Sequence, residues 1–141
     1  DTSAYKLYTF ETGLLIRLAG LNPQTFIHGD KFFTEFKGSI AENYVSQALH
    51  SINKKPYYWT SNGIAELDYL IQQNQKSIPI EVKSGEERKA KSLAVYKRKY
   101  DPTLRIRISN LNLNMTDDLL NIPLFYAEET VKLIDKIMNE K

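Results

Sequence analysis

Asp68, followed by Glu81-Val82-Lys83, stands at a spacing that suits metal-assisted chemistry. Residues 65–71 and 78–83 each alternate apolar with polar side chains, the period-2 signature of strands. The polar residues 72–76 between them are few enough to close a hairpin. On that pattern Leu67, Tyr69 and Ile71 share one face of their strand, with Glu66, Asp68 and Leu70 on the other. Glu81 and Lys83 likewise lie opposite Ile78, Ile80 and Val82, so the hairpin sets Asp68 beside Glu81. Two adjacent carboxylates repel each other unless a proton or a cation lies between them. Mg²⁺, or Mn²⁺ in its place, suits such a pair. It takes hard oxygen ligands, typically one or two protein carboxylates, several waters and a phosphate oxygen. A lysine at the same spot can orient or deprotonate a water, or neutralise charge on an attacked phosphate. This is equipment for hydrolysing a phosphodiester.

A helix expected over residues 39–52 brings a further carboxylate. Ile40, Ala41, Tyr44, Val45, Ala48, Leu49 and Ile52 form its apolar stripe, and Glu42 flanks that stripe where it could lean toward Asp68. Residues 39–42 also match a capping box, S-x-x-E, in which Glu42 would only satisfy a backbone amide at a helix start. Spacing alone does not separate these two roles. Glu66 reads as an extra ligand or as a surface residue, and the Glu81/Lys83 pair by itself as a surface ion pair worth about 0–1 kcal/mol. Pro79 cannot donate to a ladder and argues for an edge strand or a bulge just before Glu81.

The remaining elements follow from the same patterns. Residues 5–10 alternate like a short strand, residues 26–34 look irregular, and residues 57–60 form an aromatic strand ended by Ser61-Asn62-Gly63. A basic amphipathic helix is expected over 89–100, strands over 104–108 and 122–127, and a closing helix over 128–139. The order predicts an α/β domain, a mixed sheet with helices packed on it.

At 141 residues the chain suits one domain with its own core. It has no cysteine, which excludes disulfides, thiolate metal sites and a cysteine nucleophile, and fits a cytoplasmic setting. Apolar runs such as residues 13–15 fall far short of the ~20 residues that span a bilayer, so no membrane is expected as a partner. The first residue is Asp1, from which a piece of a longer protein is expected. Net charge is +2, but residues 86–107 carry 8 Lys and Arg against 3 Asp and Glu. That block, with Lys89, Lys91, Lys97 and Arg98 at its centre, can attract nucleic-acid phosphates, or can simply be a solvated helix face. His28 and His50 read as ordinary histidines. Tyr57, Tyr58 and Trp59 read as a core strand before a base-stacking platform. No G-x-x-x-x-G-K-[ST] loop is present, so this segment has no ATP site of that kind.

The stretches KGSIAENYV (37–45), Tyr58-Trp59, AELDYLI (65–71) and IPIEVKSG (78–85) together resemble one family. It is the C-terminal domain of unknown function number 4143 of predicted prokaryotic AAA+-type ATPases. The opening Tyr5-Lys6-Leu7-Tyr8 with Gly13-Leu14-Leu15, and the late Ile122-Pro123-Leu124, are similar too, so the resemblance covers nearly the whole chain. It implies a fold like that of PD-(D/E)XK, or restriction-endonuclease-like, nucleases such as Holliday-junction resolvases. Residues 1–141 would then be a single nuclease-like domain, the C-terminal fragment of a longer ATPase chain. Carried over, Glu42 matches that superfamily's helix glutamate, Asp68 its metal-binding aspartate, and Glu81 and Lys83 its E-x-K, with the Val82 carbonyl as a further metal ligand. Leu67 stands where the superfamily has proline. The resemblance implies Mg²⁺-dependent cleavage of DNA, with DNA, the ATPase domain and further copies of the chain as partners. It leaves as the alternative a catalytically silent module that binds DNA or a protein.

Overall fold

The computed structural model describes residues 6–22, 24, 31–61, 63–85 and 90–140. Its first helix, α1 (Thr12–Leu18), is capped by Glu11, whose carboxylate accepts the Gly13 and Leu14 amides. The short strand expected at residues 5–10 is not there: residues 6–9 join no ladder, and residue 5 lies outside the described residues. This segment is instead laced to the next helix. The Thr9 amide donates to Asn43 Oδ1 at 2.8 Å and the Thr12 amide to Gln47 Oε1 at 3.0 Å.

That helix, α2, spans Lys31–Ser51 and is two turns longer than its apolar stripe foretold. Residues 31–34, expected to be irregular, are its first turn. Ser39 therefore sits well inside the helix and cannot act as its N-cap, which removes the capping-box role for Glu42. The C-terminus closes in a Schellman arrangement: Asn53 takes φ 57°, its amide reaches the His50 carbonyl, and the Lys54 amide reaches that of Leu49.

Six strands form one mixed sheet. β1 (Tyr57–Ser61), β2 (Ala65–Gln73) and β3 (Lys76–Lys83) pair antiparallel in sequence, and β4 (Arg105–Ser109) joins β3 in parallel. β6 (Leu119–Pro123) lies parallel to β4, and the three-residue β5 (Asn114–Thr116) closes the far edge in the order β1-β2-β3-β4-β6-β5. The expected strand over 122–127 thus starts earlier and gives way to a 3₁₀ turn over Leu124–Glu129 before the closing helix α4 (Thr130–Asn139). Two layers of helix bury the sheet. Ala41, Val45, Ala48 and Leu49 of α2, with Ile134 of α4, pack on Tyr69, Ile71, Ile80, Val82 and Ile106. On the other face, Leu93 and Tyr96 of α3 (Lys91–Tyr100) pack on Leu67 and Leu70.

β3 is central rather than an edge strand. Pro79 pairs with Leu70 of β2, and the first β3–β4 partners are Ile80 and Ile106. The proline thus precedes the parallel ladder, where no amide is required of it. The β2–β3 turn is Asn74-Gln75, with φ 50° and 63°, the signature of a type I′ hairpin. Asparagine tolerates the left-handed region, whereas glutamine is strained there. Gln75→Gly should therefore raise stability by about 1 kcal/mol. Urea unfolding checks this, and a lower midpoint would contradict it.

Across the sheet from the turn, Asp118 ties α3 to the β4–β6 pair. Its carboxylate accepts Arg105 Nε at 2.6 Å, Arg105 Nη2 at 2.8 Å and Lys97 Nζ at 2.7 Å. Among the described residues no helix is long and apolar enough to cross a membrane.

Candidate metal and nucleic-acid site

β2 does not keep its alternation. Tyr57 of β1 faces Leu70, but Trp59 faces Leu67, so β2 carries one extra residue between them. That bulge turns Leu67 onto the α3 face beside Leu70, while Tyr69 and Ile71 stay on the α2 face. The expectation that Leu67, Tyr69 and Ile71 share a face is thus corrected. The bulge also forks the sheet: the β2–β3 partners end at Tyr69 and Ile80. Val82 is next in the series of β3 residues whose backbone groups face β2. Its amide, deprived of a β2 carbonyl, donates instead to Asp68 Oδ2 at 2.8 Å. Asp68 is pinned at the fork by the strand it has parted from.

Glu81 and Lys83 extend from β3 toward α3. Glu81 is 4% exposed, and its Oε1 holds Lys83 Nζ at 3.0 Å. Its Oε2 is buried and has no hydrogen-bond partner among the described residues. Burial pushes the Glu81 carboxyl above its usual range; Lys83 and the Leu93 backbone oppose that shift, and nearby Asp68 adds to it. A cleft of about 400 Å³ opens here, lined by Thr60, Glu66, Glu81, Lys83, Lys91 and Ser92.

On the α2 side stands a residue the sequence did not flag. Lys6 Nζ lies 2.7 Å from Glu66 Oε1, 3.3 Å from Asp68 Oδ1 and 3.7 Å from Glu42 Oε2. Burial disfavours its charge, but Glu66, Asp68 and Glu42 outweigh burial and hold its pKa above the ordinary lysine value. Glu42, half-buried, is pushed up first by burial and then by Asp68. The structure thus gathers Glu42, Asp68, Glu81 and Lys83 around the fork as two linked sets. One is bridged by Lys6, the other is the Glu81–Lys83 pair. Four carboxylates face two ammonium groups, leaving two negative charges. Among the described residues, no three His, Cys, Asp or Glu side chains are gathered as a metal-ligand group.

The basic residues divide. Lys91 and Arg98 are exposed on α3, Lys91 at the rim of the cleft, whereas Lys97 is tied to Asp118. Lys89 and His28 lie outside the described residues. His50 Nδ1 lies 2.8 Å from the Ser46 carbonyl of its own helix. Trp59 packs edge-on against Tyr96 and Tyr100, at 5.1 and 5.9 Å between ring centroids, and its Nε1 donates to Tyr100 Oη.

The model of the family described as Domain of unknown function (DUF4143) matches residues 37–125. The chain belongs to that family. The match spans α2 from Lys37 onward, the whole sheet and α3, and therefore holds every acid of the fork; Lys6 lies before it. No curated protein and no solved structure matches the sequence.

Carboxylate and carbonyl oxygens, the donor types present at the fork, are those that a hard divalent cation such as Mg²⁺ would take in preference to softer metals. By the pleat, the Val82 carbonyl faces the same fork as its amide.

Proposed function

We propose that this DUF4143 domain is a Mg²⁺-dependent nuclease of the PD-(D/E)XK type, acting on DNA in the service of an attached AAA+-type ATPase. The observation that carries the reading is Glu81 Oε2, a buried carboxylate oxygen without a partner among the described residues, near the pinned Asp68. Asp68 and Glu81, with the Val82 carbonyl, would hold the ion, and Glu42 would support it or a bound water. Bound there, a divalent cation supplies Lewis-acid polarisation of a phosphate oxygen and a lowered pKa for water. Lys83, steadied by Glu81, places an ammonium at the cleft to orient the attacking water and to offset charge on the phosphate. Lys91 at the rim, and Arg98 further along α3, would hold the backbone. Incubating the protein with branched, linear and single-stranded DNA in Mg²⁺ or Mn²⁺ tests the proposal. Cleavage above an Asp68→Ala control is expected; none above it would overturn the nuclease reading.

Binding should be salt-dependent. Lys91→Ala and Arg98→Ala should each lower the slope of log K against log salt by about 0.9 for each phosphate no longer neutralised. Lys97→Ala should leave the slope alone, because Lys97 is spent on Asp118. Fluorescence anisotropy with labelled DNA checks both, and equal effects from all three would contradict the assignment.

One observation favours a second reading. Lys6 already neutralises part of the acidic cluster, as expected of a silent module that binds DNA or a partner protein and regulates the ATPase. Calorimetry with Mn²⁺ separates the two: binding abolished by Glu81→Ala supports the enzyme, and no binding supports the module.

A further inference from the structure

Lys6 reaches the fork from the opposite end of the sequence, 62 residues from the aspartate it touches. Its approach is built. Thr9 and Thr12 are held by Asn43 and Gln47 of α2, Asn43 being 1% exposed, and the Tyr8 ring lies 5.6 Å from that of Tyr69. These anchors position the Lys6 side chain at the fork. Its ammonium meets three carboxylates at 2.7, 3.3 and 3.7 Å. Those spacings suit an ammonium; a Mg²⁺ ion needs its oxygens at roughly 2.0–2.1 Å. A single positive charge leaves this trio two charges short of neutral, a deficit that a dication closes better. Two cations among the same three acids would repel each other.

We infer that Lys6 is a tethered cation that competes with a divalent ion for Asp68 and Glu42, so that metal loading requires the Lys6 ammonium to leave the cluster. This rests on the metal-binding reading proposed above. Lys6 keeps the acids together when no metal is bound, and it sets a threshold: the apparent metal affinity falls by the fraction of molecules in which the ammonium occupies the cluster. The ligand class is hard dications; monovalent ions bring no more charge than the lysine does.

Mn²⁺ calorimetry on the whole chain tests this. Lys6→Met should bind Mn²⁺ at least about tenfold more tightly than the unaltered chain, because the competitor is gone. Lys97→Met, which alters a lysine outside the fork, should bind as the unaltered chain does. Equal or weaker binding by Lys6→Met overturns the competition while leaving the metal site standing; no binding by any of the three overturns both. Should Lys6→Met not fold, amine acetylation of the unaltered chain read by mass spectrometry decides. Modification at Lys6 should rise several-fold on saturation with Mn²⁺ while that at Lys97 holds steady. Unchanged modification at Lys6 overturns the inference.

Discussion

Glu81→Gln should remove more than about a hundredfold of the Mg²⁺-dependent cleavage proposed above, and it should do so without lowering the melting temperature of the metal-free protein. The first half follows from position. Residues that merely support a metal ligand commonly contribute 10–100-fold, and a ligand contributes more. The second half follows from the cost of the charge. Burial pushes this carboxyl up, one of its oxygens has no hydrogen-bond partner among the described residues, and Gln keeps its shape without its charge. Sites that hold like charges together commonly trade stability for function. Kinetics alongside thermal melts check the pair of outcomes. A marked loss of stability with cleavage retained would make Glu81 a structural ion-pair residue.

The opposite signature is expected at Asp118. Asp118→Ala should lower stability by about 3 kcal/mol, because it strands an Arg105 side chain that is only 12% exposed. In a domain of this size the melting temperature should drop by roughly 10 °C. The pH dependence follows from the direction of its shift. The Arg105 guanidinium first, and Lys97 after it, hold the Asp118 carboxyl well below the usual carboxylate range. Its folded pKa thus lies under its unfolded value of about 3.9. The contribution is then complete above that value and is lost as pH falls toward the folded pKa. Asp118→Asn should flatten the fall in stability below about pH 4. Urea unfolding across pH reads this, and a slope equal to that of the unaltered chain would contradict it.

What the sequence made legible and what it hid follow from the range of the interactions. The α2 stripe at Ala41, Val45, Ala48 and Leu49, the β2–β3 hairpin and β4 all declare themselves through a repeat of two or about 3.6 residues. β5 does not, since Asn114, Met115 and Thr116 are all exposed and carry no alternation. The first turns of α2 hid behind Gly38, and the 3₁₀ turn after β6 behind an apolar run that reads equally as a strand. The bulge in β2 is hidden for a sharper reason. Its extra residue is defined only against β1, and a single strand's pattern holds no record of its partner. Glu42, Asp68, Glu81 and Lys83 could be picked out because each sits in a patterned element. Lys6 could not, because its partners lie 36 to 62 residues away and only the fold introduces them.

Whether the fork holds a divalent ion is read most simply from a crystal structure after soaking in Mn²⁺, by anomalous difference density. A peak is expected at bonding distance from the carboxylates of both Asp68 and Glu81, with Glu81 Oε2 among its ligands and the Lys6 ammonium withdrawn. A fork with no peak, Glu81 Oε2 still unpartnered and Lys6 still seated among Glu42, Glu66 and Asp68, would contradict the metal site and the chemistry assigned to it.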